Sequence, residues 1–181
     1  MKKTTLVISF ILVLFTGLIC AQSLTQIGFL AKQAVVRGEN FVVLCPEAEL
    51  DAITKQAQKA QVINQRKYHV FPIAKRSDIP RILPSIIKLK NPVVIILGNS
   101  NALSPKSVKF VAEKVGLKGI PVITNRENDT KQKALMVVLD KGGEVKTHVN
   151  NVMAFVLKVE FPAELLAKAV VDVERQAVPK P

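Results

Sequence analysis

The sequence predicts an α/β domain of three layers, in which helices cover both faces of a mostly parallel, flavodoxin-like sheet. Apolar runs alternate strictly with amphipathic segments from Phe41 to Thr124, an order that favours parallel pairing and right-handed crossovers. Residues 93–97 are apolar without alternation, between Pro92 and Gly98, as in a strand buried on both faces. We predict the strand order 2-1-3-4, with a C-terminal hairpin at the sheet edge.

Four short apolar runs are predicted to be the parallel strands. They are residues 41–44, 67–73, 93–97 and 120–124. The second run is more polar and contains Pro72, which favours an edge position. Helices are predicted after Pro46, after Ser77 and after Ser104, because apolar residues recur there at helical spacing and the boundary residues suit a first turn. Pro84 lies inside the second helix and should kink it.

The C-terminal part departs from this alternation. Residues 135–139 and 145–149 are extended runs joined by a Gly-Gly turn, the pattern of a β-hairpin. Helices are predicted over residues 150–157 and 162–174. Residues 41–175 then form one domain, with residues 176–181 as a tail, and residues 22–40 are either a helix packed on the domain or a loose arm.

The first 21 residues have the pattern of a secretory signal peptide. Residues 2–3 are basic, residues 6–19 are apolar, and small residues follow. We expect cleavage after Ala21 and a periplasmic or secreted protein. Lipidation at Cys20 is the less favoured alternative, because the preceding residues do not match the usual lipoprotein pattern.

The charge is strongly basic, with a formal net value of +12 over 181 residues. The Lys residues are scattered along helices and loops, and the chain has one Tyr and no Trp, so base stacking on nucleic acid is unsupported. We therefore predict no nucleic-acid partner. A basic exported protein can instead lie near anionic membrane or acidic partners.

Polar residues follow three of the predicted parallel strands, and the carboxyl ends of such strands are where ligands bind in open α/β sheets. They are Glu47, Asn99, Ser100, Asn101, Asn125 and Arg126. We expect them to form one concave patch. The group held there would be anionic or amide-like, because Arg126 offers a bidentate fork and the helix beginning near Pro105 presents backbone N–H groups. Arg126 itself is expected to be exposed.

Enzymatic interpretations find little support. The chain contains no nucleophile elbow, no phosphate loop and no dinucleotide-binding fingerprint, and it lacks the acidic residues of a receiver domain. Cys45 has no basic neighbour in sequence to lower its pKa, so buried filler is the simpler interpretation. His69 and His148 have no Cys or carboxylate at ligand spacing. We predict a protein that is not an enzyme and has no metal or cofactor.

Residues 135–170 carry a family resemblance. The hairpin, Asn150, a short amphipathic helix, an extended Val159-Glu160-Phe161 and a closing Pro162 with Leu165-Leu166 resemble the C-terminal portion of two groups. One is the YfiR-type periplasmic proteins that repress a membrane diguanylate cyclase. The other is the C-terminal lobe of ABC-transporter substrate-binding proteins of the tryptophan/tyrosine-permease kind.

These resemblances imply two functions. The first is an exported, non-enzymatic regulatory or sensor domain that docks to a membrane protein such as a sensor or cyclase. The alternative is a single-lobed solute-binding component that feeds a permease and holds a small molecule at the carboxyl edge. The sequence lacks the Trp-Pro stretch and the paired cysteines of the repressors, and its length leaves no room for a second lobe. The length favours the regulatory interpretation.

Overall fold

The structure is a computed structural model that describes residues 24–98, 100–141 and 144–172. The predicted signal peptide over residues 1–21, Asn99, the Gly-Gly pair of the hairpin turn and the predicted tail over residues 176–181 lie outside the described residues.

Among the described residues, seven strands form one sheet in the order β2-β1-β3-β4-β5-β6-β7. They are β1 (Asn40–Pro46), β2 (Lys67–Ile73), β3 (Pro92–Ile96), β4 (Val122–Thr124), β5 (Met136–Lys141), β6 (Glu144–Asn150) and β7 (Ala169–Asp172). The β5–β6 pair is antiparallel, and all other neighbours pair in parallel. The predicted order 2-1-3-4 and the predicted edge position of β2 are confirmed.

Six helices lie among the described residues. They are α1 (residues 24–34), α2 (Leu50–Asn64), α3 (Asp78–Ile87), α4 (Pro105–Gly116), α5 (Asn151–Leu157) and α6 (Ala163–Leu166). Short 3-10 turns at Glu47–Glu49 and Asp129–Gln132 precede α2 and follow β4. Ser77 stands before α3 as predicted, but its side chain makes no cap hydrogen bond. Instead, the Asp78 carboxylate accepts from the Lys75 N–H at 2.8 Å.

The sheet separates two hydrophobic cores. Strand side chains alternate between them, so that Val43 and Ile95 face one core while Val42 and Val94 face the other. The first core is covered by α1, α2, α5 and α6, and the second by α3 and α4. Every residue of β1 and β3 is buried, and so is Leu97 directly after β3, which confirms that the predicted central strand has no exposed face.

Residues 24–34 take the helical alternative of the two predicted for this segment. Leu24, Ile27, Ala31 and Ala34 recur at helical spacing and are buried in the first core. The core therefore extends upstream of residue 41, where the predicted domain begins.

The C-terminal prediction is wrong in two respects. The helix predicted over residues 162–174 stops after α6, and β7 follows it. The hairpin is therefore not the sheet edge, because β7 pairs with the outer side of β6. The pattern of Leu165, Leu166, Ala169 and Val170 fits a helix, but the adjacent β-branched Val170 and Val171 also favour a strand. Pairing satisfies the backbone groups along β6, which a helix could not do.

Asn150 connects this region to the rest of the domain. Its Oδ1 accepts from the Met153 N–H at 2.9 Å and caps α5, while its Nδ2 donates to the Thr130 carbonyl at 2.9 Å.

Within the described residues, no helix is long and apolar enough to cross a membrane.

Replacing Ile95 by Ala should lower the free energy of unfolding by about 2 to 5 kcal/mol, because the side chain is fully buried in the first core and its loss leaves a cavity. Chemical denaturation measures the change. Leu117→Ala is the matched control, since Leu117 is 84% exposed and its truncation should cost less than about 0.5 kcal/mol. A cost below about 1 kcal/mol for Ile95→Ala would show that β3 is not a core strand.

Candidate functional site

The carboxyl ends of β1, β3 and β4 lie side by side at one edge of the sheet, which we call the carboxyl edge. Beyond the strands, the Leu97 N–H still donates to the Leu44 carbonyl at 2.9 Å. Gly98 then turns with a φ of +79°, and a Cβ atom there would lie 2.9 Å from Pro46 and 3.3 Å from Oε1 of Glu49. Only glycine fits this close approach between the loops after β1 and β3.

Polar side chains hold the loops after β3 and β4 together. The Gly98 N–H donates to Oδ1 of Asn125 at 3.2 Å. Within the loop after β3, the Leu103 N–H donates to Oγ of Ser100 at 3.2 Å. Ser107 donates its hydroxyl to the Ala102 carbonyl at 2.7 Å and so attaches the start of α4 to the same loop. Ser104 occupies the N-cap position as predicted, although its side chain makes no cap hydrogen bond.

Arg126 forms a further connection. Its Nε donates to Oδ2 of Asp129 at 3.0 Å, one terminal nitrogen donates to Oδ1 of Asp129 at 3.3 Å, and the other donates to the Leu103 carbonyl. The Arg126 and Asp129 side chains are only 12% and 3% exposed. The expectation that Arg126 is exposed is therefore wrong: its bidentate fork is engaged by Asp129, so its main role here is to hold the loops after β3 and β4.

The structure brings some of the predicted site residues into contact with the same loops and leaves others exposed at the carboxyl edge. The structure brings Ser100, Asn125 and Arg126 together through the Leu103 and Gly98 backbone. Glu47 and Asn101 are exposed at the same edge, in the turns after β1 and β3. Asn99 lies outside the described residues. Their role as a ligand-binding or partner-binding set stays a prediction.

Two acidic residues at this edge were not predicted. Glu49 places its carboxylate beside Gly98, and Asp129 pairs with Arg126. Glu49 is two residues after the predicted Glu47, at the other end of the 3-10 turn of Glu47–Glu49. For Asp129, the signal was the i, i+3 spacing from Arg126, which suits an ion pair across one turn.

Cys45 lies near the end of β1, buried among apolar neighbours. Burial, and secondarily the negative charge of Glu49, raise the pKa of its thiol to about 11. Its Sγ is 4.0 Å from the Phe71 carbonyl oxygen. The thiol is therefore protonated at neutral pH, a state poorly suited to a nucleophile or a metal ligand.

The two His residues lie on different strands. His69 places Nε2 3.0 Å from Oδ1 of Asn40, near the amino end of β1, and His148 lies on β6. In the part of the chain that the structure describes, no group of three or more His, Cys, Asp or Glu residues could hold a metal ion.

Two depressions lie away from the carboxyl edge. One of about 370 Å³ is at the amino edge, lined by residues that include Asn40, Gln61 and Arg66. The other, of about 300 Å³, lies between α2 and β2 and is lined in part by Gln58 and Tyr68. Burial raises the pKa of the Tyr68 hydroxyl to about 12, so the hydroxyl stays protonated at neutral pH.

The fold is similar to that of several solved structures. The ABC domain in complex with L-Trp from Streptococcus pneumonia matches with a TM-score of 0.68 and 12% identity, over 82% of this chain and 60% of that chain. A conserved domain protein from Vibrio cholerae matches with a TM-score of 0.69 and 14% identity, over 81% of this chain and 59% of that one. The ligand-free, open structure of a substrate binding protein with adhesive properties from Clostridium difficile matches with a TM-score of 0.64 and 13% identity. The match covers 79% of this chain and 57% of that one.

The chain shares the fold of substrate-binding-protein lobes. At these identities the likeness concerns the fold alone, and this chain spans about three fifths of the length of those proteins. No family model matches the sequence, and no curated protein matches it.

Replacing Arg126 by Ala should destabilise the protein by roughly 3 to 5 kcal/mol, because it leaves the buried Asp129 carboxylate without its cation. Thermal and chemical denaturation measure the change. The double variant Arg126→Met with Asp129→Leu removes both charges and should recover most of this loss. Arg76→Ala, at an exposed position, is the control and should change stability by less than about 0.5 kcal/mol. A neutral Arg126→Ala would show that the pair does not hold the carboxyl edge.

Proposed function

We propose that this protein binds a small solute at its carboxyl edge, as a lobe of the substrate-binding type, and that it has no catalytic activity. The observation that carries the proposal is the pre-formed geometry of this edge. Asn125 fixes the Gly98 turn, and Arg126 with Asp129 fixes the loop at Leu103, so contacts within the protein hold the polar groups between them. Pre-organised polar groups lower the entropic cost of binding.

The chemistry of the edge favours a ligand that carries both an ammonium and a carboxylate group. Glu47 and Glu49 follow β1 and provide carboxylate acceptors on one side. On the other side, Ser100 and Asn101 lie before the start of α4, where hydroxyl, amide and backbone groups suit a carboxylate. An amino acid has both groups, and one of the similar structures holds L-Trp.

The comparisons favour this solute-binding interpretation over the regulatory one. Two of the similar structures are a complex with L-Trp and a substrate binding protein. The hypothesis of docking to a membrane sensor or cyclase rests on the sequence resemblance alone. We keep export to the periplasm or outside the cell as part of the proposal, because a solute-binding lobe that feeds a permease acts there.

Titration of the purified protein with the common L-amino acids, L-Trp first, tests the proposal by calorimetry and by the shift in melting temperature. At least one of them should bind and raise the melting temperature, as any ligand specific for the native state does. Asn101→Ala should weaken this binding by about two- to tenfold, the effect of one lost hydrogen bond, without changing stability, since Asn101 is exposed.

Gln58→Ala is the matched control, because Gln58 is an exposed amide that lines the depression between α2 and β2. It should bind like the parent. If no amino acid binds, or if Gln58→Ala weakens binding while Asn101→Ala does not, the proposal is wrong.

A further inference from the structure

The two helical layers of the domain differ strongly in charge. Residues 74–91 and 104–119 form the layer of α3 and α4, and they contain nine Lys or Arg residues and two acidic ones, a net charge of +7. The opposite layer, over residues 24–37, 47–66 and 151–168, contains seven basic and five acidic residues, a net charge of +2. The basic excess that looked scattered along the sequence is therefore concentrated on one face of the molecule.

The geometry of the two helices directs these charges outward. On α4, Val108, Val111 and Val115 are buried against the sheet, while Lys106, Lys109 and Lys114 are exposed on the opposite side. Arg81 on α3 and Lys88, the residue directly after α3, are exposed and seven residues apart, which places them on one side of the helix. All nine basic residues of the layer are exposed. We call their common surface the basic face.

The two acidic residues of the layer neutralise only part of the basic face. Glu113 pairs at 2.9 Å with Lys133, which lies outside the layer, and the hydrogen bond from Lys133 is the main cause that lowers the pKa of the Glu113 carboxyl. The charges of Lys109 and Lys114 act on Glu113 more weakly. The Asp78 carboxylate accepts from the Lys75 backbone. Lys90, at the amino edge, pairs with Glu39 at 3.0 Å. The remaining positive charges add to one field over the outer surface of α3 and α4.

We propose that the basic face docks on an anionic lipid bilayer. Each exposed Lys or Arg close to an anionic bilayer adds attraction, and the contributions of a cluster accumulate. Leu117 lies between Lys114 and Lys118 and is 84% exposed, so it offers an apolar contact among the charges at the end of α4. Lysines that surround an exposed aliphatic side chain suit lipid headgroups.

A nucleic acid fits this surface less well. Binding to single strands uses aromatic side chains for base stacking, and the basic face has no Trp or Tyr. Its one Phe, Phe110, lies under Lys114, whose Nζ is 5.8 Å from the ring centroid. Because the helices lie on the face of the sheet and the carboxyl edge lies at its strand ends, docking through the basic face leaves the carboxyl edge accessible. The inference does not depend on the proposed solute binding.

Co-sedimentation with lipid vesicles tests this proposal. The protein purified from expressing cells is mixed with vesicles of phosphatidylcholine alone, or with vesicles in which about a third of the lipid is phosphatidylglycerol, at ~0.05 M and ~0.5 M salt. We expect binding to the anionic vesicles at low salt and its loss at high salt. The triple variant Lys106→Gln, Lys109→Gln, Lys114→Gln should reduce the partition coefficient roughly 100-fold.

The matched control removes three exposed charges from the opposite layer, as Arg37→Gln, Lys55→Gln, Lys59→Gln. Both triple variants have the same net charge, so a difference between them reports the position of the charges. The control should bind within about threefold of the parent. The proposal is overturned if the two variants bind alike, if the parent binds phosphatidylcholine equally well, or if it prefers added DNA or an acidic protein to the anionic vesicles. Circular dichroism of both variants confirms that they are folded.

Discussion

Burial of β1 and β3 on both faces is the constraint on which the rest of the structure depends. A strand with no exposed face needs a helical layer on each side, and the chain provides α1, α2, α5 and α6 on one side and α3 and α4 on the other. Parallel pairing of β1, β3 and β4 then brings the loops after these strands to one edge. The outer surfaces of the two layers differ in charge, with a net +2 on one and +7 on the other.

At the carboxyl edge, side chains that suit a ligand are partly used to build the loops. Asn125 and Arg126 lie where a binding site was expected, yet Asn125 accepts from Gly98, and Arg126 is engaged by Asp129 and Leu103. Burying an ion pair costs desolvation free energy, and removing one partner of the pair costs stability. Here the Arg126–Asp129 pair holds the loops after β3 and β4 in a fixed position relative to each other. The groups that remain at the surface, Asn101 and Glu47 among them, can then meet a solute in a defined geometry.

The sequence predicted the fold well where hydrophobic pattern alone decides it. The continuous apolar runs of β1 and β3 and the polar, Pro-containing β2 led to the observed strand order. The prediction from the sequence failed where one residue pattern is compatible with both a helix and a strand. Residues 165–170 suit a helix by spacing, and only the unpaired side of β6 makes Ala169–Asp172 a strand. The sequence also could not predict that the Arg126 side chain is mostly buried, because this depends on its contact with Leu103, 23 residues away. Similarly, the concentration of charge on α3 and α4 appears only when the layers are known.

The central proposal is that the carboxyl edge binds a solute. Amide NMR chemical shifts recorded during a titration with L-Trp test it most directly, because they report on every backbone N–H of the loops at once. The account predicts that the amides of Gly98, Ser100, Asn101 and Asn125 shift, while those that line the depression at the amino edge, such as Asn40 and Arg66, do not. Shifts confined to Asn40 and Arg66, or to Gln58 and Tyr68 in the depression between α2 and β2, would contradict solute binding at the carboxyl edge.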